Sequence, residues 1–423
     1  VPHRTWIYPP SFLARPDRPK PTFSRNHAGP MHIHDIHIHS VSIPRVYNTR
    51  VAPSGGPPAG KDDSYYYLLE FETNTGLKGL GEISDLETEW VVPPPETLRL
   101  TLTAALAGAD PLKRLPTWER VDQALPTDYH PEFRNLVRSA VDTALLDLNG
   151  KHYGAPVHAL MGGRYRDELT VSWVAYIRTA EELATEIQNK VDAGFTAFKI
   201  KVGSNSDLDC ERIRVFRRIA GPNAYLKADA SGAWEEEEAI DQIRILSALG
   251  VDAVETPIRR ISRLVAKNHP AEIDADPDTA AQALARVRKA VPAAIIEHVA
   301  DFDESFALAL LRHQAVDVFN IVPVQAGSLH RAQRLIQIAE AGNVPVLLGS
   351  TVELGIGTAA ALHLGVASKA VCIASDLVGP GLLTDDVVTP RFAYQQGRLC
   401  APQSCGLGVD LVPSLLDKYA VQP

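Results

Sequence analysis

The sequence predicts an α/β fold in which a parallel (β/α)8 barrel follows a smaller α+β domain. From about residue 170, short β-rich runs alternate with amphipathic stretches, and most runs begin about 22 to 28 residues apart, as repeated βα units require. The preceding part of the chain instead shows strand-like alternation followed by helical periodicity. The eight β-rich runs begin near residues 170, 197, 225, 253, 295, 317, 344 and 371.

The α+β domain should begin with three strands. Residues 31–44 alternate as a strand does, and two further β-rich runs lie near 64–72 and 78–83. Asn74-Thr75-Gly76 joins the last two runs and is a favourable hairpin turn. Helical periodicity then extends over residues 95–160.

Four segments follow from these patterns, with one insertion between the fourth and fifth barrel strands. The C-terminal segment is rich in loops, and we expect it to pack back on the first domain. The segments are a proline-rich extension (1–30), the α+β domain (31–165), the barrel (166–380), the C-terminal segment (381–423) and, within the barrel, the insertion (259–278).

Composition excludes several classes of protein. The 423 residues are 45% hydrophobic and 22% charged, which is ordinary for a globular chain, and the net charge of -9 disfavours nucleic acid or a membrane surface as a partner. No apolar run approaches the roughly 18 residues of a membrane span. The four cysteines form no CxxC pair, and the first 30 residues lack the apolar region of a secretory signal. We therefore expect a cytoplasmic protein.

Charged residues end four consecutive barrel strands, at the edge where the chemistry of such barrels is found. Lys199 and Lys201 end the second strand, Asp229 the third, Glu255 the fourth and Glu297 the fifth. Strand alternation places the two lysines on one side. Three carboxylates that converge would repel one another strongly, so they need a hard cation, and oxygen ligands suit Mg²⁺.

This constellation indicates a reaction class. A cation and a second lysine nearby would lower the pKa of a lysine, which could then remove a proton at neutral pH. Proton abstraction next to a carboxylate needs this pairing, because Mg²⁺ neutralises the enediolate that forms. Taken singly, each residue could instead be a solvated strand edge or a helix cap. The whole set is stronger evidence for a catalytic site than any single residue, because four neighbouring strands contribute to it.

Residues 130–400 resemble the enolase superfamily, within its mandelate racemase/muconate lactonizing enzyme branch. The resemblance implies a capping domain, completed by the C-terminal segment, on a modified TIM barrel, with a small carboxylate substrate and a homo-oligomeric assembly. It also implies that Lys201 is the catalytic base, that Lys199 is its electrostatic partner, and that Asp229, Glu255 and Glu297 bind Mg²⁺. The strings that carry it are DLNGKHYGAPVHALMGG, AFKIKVG, KADASGAW, VETP, EHV, VDVFNIVPVQAGSL, LLGSTVELGIGTAAALHL and GPGLLTDD.

Asp303 is an alternative to Glu297 as the third metal ligand. Asp303, in Asp303-Glu304-Ser305, resembles a string often found after strand five of the family. It lies 14 residues before Asp317, however, whereas Glu297 lies 20 residues before it, and one crossover fits the longer gap better. We therefore favour Glu297 and expect Asp303 to cap the following helix.

The sequence departs from the family where a second acid or base would stand. Gln325 occupies the place of the strand-six lysine of muconate-type members. Gly349 and Val322 occupy the places of the histidine and aspartate of mandelate-type members. A two-base site is therefore absent, and we expect a one-base reaction in which Lys201 removes and returns the proton.

Three residues have open roles. His298 would face either the barrel mouth or the packed core, Glu353 would bind substrate, supply a proton or cap a loop, and Arg50 would meet a distal substrate group or remain solvated. The preferred function is an isomerase of the muconate cycloisomerase/mandelate racemase type. The alternatives are an acid-sugar dehydratase, which the Glu-His-Val string resembles, and a non-catalytic carboxylate-binding protein that retains the metal site.

Overall fold

The computed structural model describes most of the chain. The extension predicted over 1–30, except for its last residue, and most of the insertion predicted over 259–278 lie outside the described residues. The described residues are 30–52, 59–87, 90, 92–259, 276–300 and 304–421.

The N-terminal domain is an antiparallel three-stranded sheet packed on helices. The sheet has the order β1-β2-β3, and Gly76 adopts a left-handed φ of 80° in the turn between β2 and β3. In β3, a Cβ on Gly79 or Gly81 would lie 2.4 or 2.1 Å from a carbonyl oxygen of the long helix α3, so both glycines allow close packing. The elements are β1 (Ile33–Val51), β2 (Ala59–Thr73), β3 (Lys78–Ile83), α1 (Pro95–Leu106), α2 (Arg114–Ala124), α3 (Pro131–Tyr153) and α4 (Val157–Leu160).

The second domain is a curled parallel sheet whose strands alternate with helices. A short strand, β4 (Glu168–Thr170), leads into seven strands that are hydrogen-bonded in sequence order from β5 to β11. The strands are β5 (Ser172–Ala175), β6 (Ala197–Lys201), β7 (Tyr225–Asp229), β8 (Ala253–Glu255), β9 (Ala294–His298), β10 (Val318–Ile321) and β11 (Val346–Leu348). The helices are α5 (Ala180–Asp192), α6 (Ser206–Ala220), α7 (Glu236–Ala248), α8 (Pro277–Ala290), α9 (Glu304–Arg312), α10 (Leu329–Ala341) and α11 (Gly355–Val366).

The eighth predicted strand is an irregular segment that closes the barrel. It forms single parallel bridges, from Val371 to β11 and from Ser375 to the start of β5. The Leu348 amide donates to the Ser375 hydroxyl at 3.0 Å, where a regular ladder would use a carbonyl. The Ser375 side chain thus interrupts the regular strand pairing, while the segment still lies between β11 and β5.

The barrel interior identifies which face of each strand points inward. Ala253, Ile296, Val318 and Leu347 form a small buried cluster that is separate from the main core. They come from four neighbouring strands, β8 to β11. Since side chains alternate along a strand, residues two positions from these four also face inward.

The C-terminal segment returns to the first domain. Ala420 forms an antiparallel bridge with Val41 of β1, and the Thr384 amide donates to the Pro44 carbonyl at 2.9 Å. Its elements are α12 (Gly379–Leu382), β12 (Val388–Thr389), β13 (Arg398–Cys400), β14 (Asp410–Leu411) and α13 (Pro413–Tyr419). None of the helices in the described ranges qualifies as a transmembrane segment by its length and polarity.

A buried histidine pair should make the fold sensitive to acid. His363 is fully buried, with Nε2 3.1 Å from the Leu407 carbonyl and Nδ1 3.0 Å from Nδ1 of His158. Burial lowers the pKa of His363 to about 4. Charging it would point a second N–H at His158, whose own backbone amide already approaches Nδ1. The free energy of unfolding should therefore fall as the pH drops from about 6.5 towards 4, by about 3 kcal/mol in total.

Urea unfolding between pH 7.5 and 4 measures this effect. His363→Gln cannot titrate, so its free energy of unfolding should depend less on pH over that interval. His152→Gln is the matched control, because His152 is exposed. An unchanged pH dependence in His363→Gln would assign the acid sensitivity to other groups.

Candidate active site

Strand register brings the predicted lysines and two of the carboxylates to one edge of the barrel. Lys201 is paired with Asp229, and Asp229 is paired with Glu255, across three adjacent parallel strands. Residues in register on parallel neighbours share a face, and Ala253, two residues before Glu255, belongs to the interior cluster. These side chains therefore all point into the barrel, as does Lys199.

The two lysines share one carboxylate. Nζ of Lys201 lies 2.7 Å from Oδ2 of Asp229, and Nζ of Lys199 lies 3.3 Å from the same oxygen. Nζ of Lys199 is also 3.3 Å from Oε2 of Glu255. Burial opposes ionisation of Asp229, but the charges of Lys201 and Lys199 outweigh burial and hold the pKa of its carboxyl well below the usual value.

Two further charged residues complete this network, and neither is among the site residues predicted from the sequence. Asp376, from the closing segment, lies 2.7 Å from Nζ of Lys199 and 2.7 Å from Nζ of Lys227. Lys227 is fully buried two residues before Asp229, and its ammonium also donates to the Ala374 carbonyl at 3.1 Å. Burial opposes protonation of Lys199, but Asp376, Glu255 and Asp229 raise its pKa well above the usual value, so Lys199 is a permanent cation.

Lys201 differs from Lys199 in reaching a cavity. The side chain of Lys201 is 17% exposed and that of Lys199 only 6%. Lys201 lines a cavity of about 430 Å³ that lies between the two domains. The cavity is open to a small molecule, and Lys201 is the lysine of the pair that can touch it.

The first domain contributes a charged wall to this cavity. Arg45 and Lys61 both contact Oδ2 of Asp85, at 2.8 and 3.1 Å, and Lys61 also lies 2.7 Å from Glu87. All four residues line the cavity. A substrate over Lys201 would therefore meet paired charges of both signs on the capping side.

Glu297, the predicted third metal ligand, lies on the opposite face of its strand. It is in register with Phe319, which belongs to the main core outside the barrel, and its Oε1 lies 3.5 Å from the Thr256 hydroxyl. Since Ile296 faces the interior, strand alternation turns Glu297 to the outer face of β9. Glu297 remains a predicted ligand, and in the structure it lies on the face opposite to Asp229 and Glu255.

His298 and Asn320 occupy the inner face instead. They are in register on β9 and β10, and Nδ2 of Asn320 donates to Oε1 of Glu255 at 2.7 Å. Oδ1 of Asn320 is buried and has no hydrogen-bond partner within the described part of the chain. Of the two positions left open for His298, the structure has the one facing the barrel interior.

The other predicted residues lie at three different places. Gln325 lines the same cavity as Lys201, and its amide donates to Oε1 of Glu132 at 2.6 Å. Glu353 is buried and folds back on its own loop, where it accepts hydrogen bonds from the amide and hydroxyl of Thr351 at 2.8 and 3.0 Å. Arg50 is exposed and lines a separate cavity of about 630 Å³.

Two of the predicted metal ligands form an environment that suits a divalent cation. Asp229 and Glu255 offer carboxylate oxygens on adjacent strands around one ammonium group, which is an environment that accepts a cation. The described ranges contain one group of three donor atoms within 4.8 Å of one another, formed by His37, Glu70 and Glu72 on the surface of the first domain. Asp229 and Glu255 thus fit as two ligands, whereas Glu297 does not fit as the third. The alternative, Asp303, lies outside the described residues.

Comparisons with known proteins identify the family. Residues 50–162 match the mandelate racemase/muconate lactonizing enzyme N-terminal domain, and residues 182–274 and 274–415 match the enolase C-terminal domain-like model. Muconate cycloisomerase 1 of Pseudomonas putida is 29% identical over 84% of this chain and 90% of its own length. N-succinyl-L-Arg/Lys racemase of Bacillus cereus is 27% identical over the same shares.

Solved structures confirm the predicted fold. The 2-chloromuconate cycloisomerase of Rhodococcus opacus 1CP is 25% identical, with a TM-score of 0.79 over 92% of this chain and all of that one. The dipeptide epimerase of Enterococcus faecalis V583, solved with Mg and a dipeptide, is 25% identical, with a TM-score of 0.75 over 90% of this chain and 99% of that one. Since the family models cover most of its length and the relatives are enzymes, this chain is an isomerase or lyase that belongs to the mandelate racemase/muconate lactonizing enzyme family of the enolase superfamily.

Proposed function

We propose that this enzyme removes the proton next to the carboxylate of a small substrate and that Lys201 is the base. The observation that carries the proposal is the difference between the two lysines of β6: Lys199 is enclosed by carboxylates, whereas Lys201 reaches the cavity. A base must touch the carbon acid, and only a lysine at the cavity surface can do so.

A divalent cation fits beside this base. Asp229 and Glu255 would hold it, and their oxygen atoms suit Mg²⁺. When bound, the ion supplies positive charge that stabilises the enediolate form of the substrate. Lys199, kept cationic by Asp376 and Glu255, adds a fixed positive charge to the same region.

The proposed reaction uses one base. Gln325 lines the cavity with Lys201, and its amide can donate a hydrogen bond but cannot accept a proton at neutral pH. Lys201 would therefore carry the proton on one face of the substrate, delivering it to the enediolate in one direction of the reaction and removing it in the other. A cycloisomerisation of the kind named for the muconate relatives meets this requirement, and their similarity over 84% of the chain favours it.

A substrate screen in D₂O with Mg²⁺ tests the proposal. Muconates and their lactones, N-acyl amino acids and acid sugars are incubated with the enzyme, and ¹H NMR follows loss of the signal next to the carboxylate. We expect exchange or isomerisation in at least one class. A keto acid that reacts with semicarbazide would instead indicate an acid-sugar dehydratase. Binding of a carboxylate with no exchange in any class would indicate the non-catalytic alternative.

A further inference from the structure

We infer that His298 is the third protein ligand of the divalent-metal site, so that the site combines one imidazole with the carboxylates of Asp229 and Glu255. The inference rests on the metal site of the proposed function and changes its chemistry. A site with one nitrogen and two carboxylate ligands carries less negative charge than three carboxylates, and it prefers different ions.

His298 lies on the inner face of β9. Ile296 belongs to the interior cluster and is in register with Glu255. His298 lies two residues further along β9, at the end of the strand where Lys201 ends β6. Side-chain alternation therefore gives His298 the same face as Ile296 and Glu255.

The neighbouring strand β10 supports the same orientation of His298. His298 is in register with Asn320, whose amide contacts Glu255 at 2.7 Å. An inward-facing Asn320 requires that His298, its register partner, also face inward. The pairings with β8 and β10 thus give the imidazole the same face of the barrel wall as Glu255 and Asn320.

The adjacent carboxylate, Glu297, lies on the other face of β9. Glu297 is fully buried and is in register with the outward-facing Phe319, and its Oε1 accepts a hydrogen bond from the backbone amide of His298 at 3.2 Å. Moving it to the inner face would require a one-residue slip of β9, which would carry Ile296 out of the interior cluster. The backbone of β9 therefore directs Cβ of Glu297 away from the interior and Cβ of His298 towards it.

The proposed site requires a change in side-chain rotamers, including that of His298. The donor atoms of His298, Asp229 and Glu255 are not within 4.8 Å of one another in the described structure, where Lys199 bridges the two carboxylates. Binding of an ion would gather the three donors by turning side chains on a fixed backbone. An imidazole is a softer ligand than a third carboxylate, so we expect the site to bind Mn²⁺ more tightly than Mg²⁺.

Electron paramagnetic resonance of the full-length protein loaded with Mn²⁺ tests the inference without a substrate. Electron spin echo modulation should show ¹⁴N coupling from a directly bound imidazole. In His298→Ala this coupling should disappear, and the Kd for Mn²⁺ should rise at least about tenfold, since even loss of an outer partner of a metal ligand costs that much. His298→Asn repeats the test with a polar side chain, and circular dichroism checks that both variants fold.

Two matched variants make the assignment specific. His37→Ala removes the histidine of the surface group formed with Glu70 and Glu72, and the ¹⁴N coupling of the barrel site should remain. Glu297→Gln should keep both the coupling and the Kd, because Glu297 faces away from the site. Two spectroscopic results would overturn the inference: no ¹⁴N coupling in the wild type, or loss of the coupling only in His37→Ala. A third would be Mn²⁺ binding that is weakened in Asp303→Asn and unchanged in His298→Ala.

The metal test and the function test fail in different ways. If ¹⁴N coupling depends on His298 but no carboxylate exchanges its proton, the metal assignment holds and the proposed reaction is wrong. If exchange occurs and depends on Lys201 while the coupling is absent, the reaction holds and His298 is not a ligand.

Discussion

Lys201→Ala is expected to reduce proton exchange next to the substrate carboxylate by about 10²- to 10⁴-fold, the contribution of a positioned general base. The expectation follows from access. Lys201 is the lysine of β6 that lines the cavity, and the ammonium group of Lys199 remains enclosed by Asp376, Asp229 and Glu255. Lys199 cannot substitute for the missing base without leaving that cage. The measurement is the ¹H NMR exchange rate in D₂O with the substrate class found in the screen.

The variant should lose its base without losing its fold. Asp229 keeps Lys199 as a partner after the substitution, so no buried carboxylate is left without a cation. The urea unfolding midpoint should therefore stay close to that of the wild type. Lys289→Ala removes an exposed lysine and is the matched control for both measurements. Wild-type exchange in Lys201→Ala would show that another group is the base.

Much of this site could be predicted because βα units of similar length align the ends of neighbouring strands. Lys201, Asp229 and Glu255 end three consecutive strands in the sequence and are in register in the structure. Chemistry in such barrels lies at the C-terminal ends of the strands, so a prediction needs only the approximate end of each strand. The charged residues that end the β-rich runs mark those positions.

The inward-facing residue at the end of β9 could not be predicted in the same way, because the choice between adjacent residues depends on which of them the strand turns inward. In the run Ala294–His298, both Ile295 and Ile296 are apolar, so hydrophobicity does not indicate which residue faces the interior. The register of β9 with β8 and β10 shows that His298, and not Glu297, faces the interior. Spacing to the next strand, which favoured Glu297, cannot resolve a difference of one residue.

Asp376 was missed although a signal was present. It ends the eighth β-rich run, VCIASD, and the rule that selected Asp229 and Glu255 applies to it equally. Lys227 was less accessible to prediction. Its position two residues before Asp229 gives it the same face, but a lysine deep inside a barrel becomes plausible only when its partner, Asp376, is known.

Asp376→Asn should destabilise the fold by about 3–5 kcal/mol, the usual result of removing one partner from a buried charge network. Asp376 is the carboxylate shared by Lys199 and Lys227, each at 2.7 Å. After the substitution, Lys199 keeps Asp229 and Glu255, but the fully buried ammonium of Lys227 keeps only the Ala374 carbonyl among the contacts described for it. The free energy of unfolding in urea measures the loss.

A second variant separates the charge effect from a general disturbance of the barrel. Lys227→Met removes the cation that depends on Asp376 alone, while Asp376 keeps Lys199, so this substitution should cost less than Asp376→Asn. In the double variant Lys227→Met/Asp376→Asn no unpaired ammonium remains at position 227, and the double should be more stable than Asp376→Asn by itself. The two substitutions would then be non-additive in the direction of rescue. Additive losses would mean that Asp376 stabilises the barrel through packing and hydrogen bonds, and that Lys227 is already neutral in the folded protein.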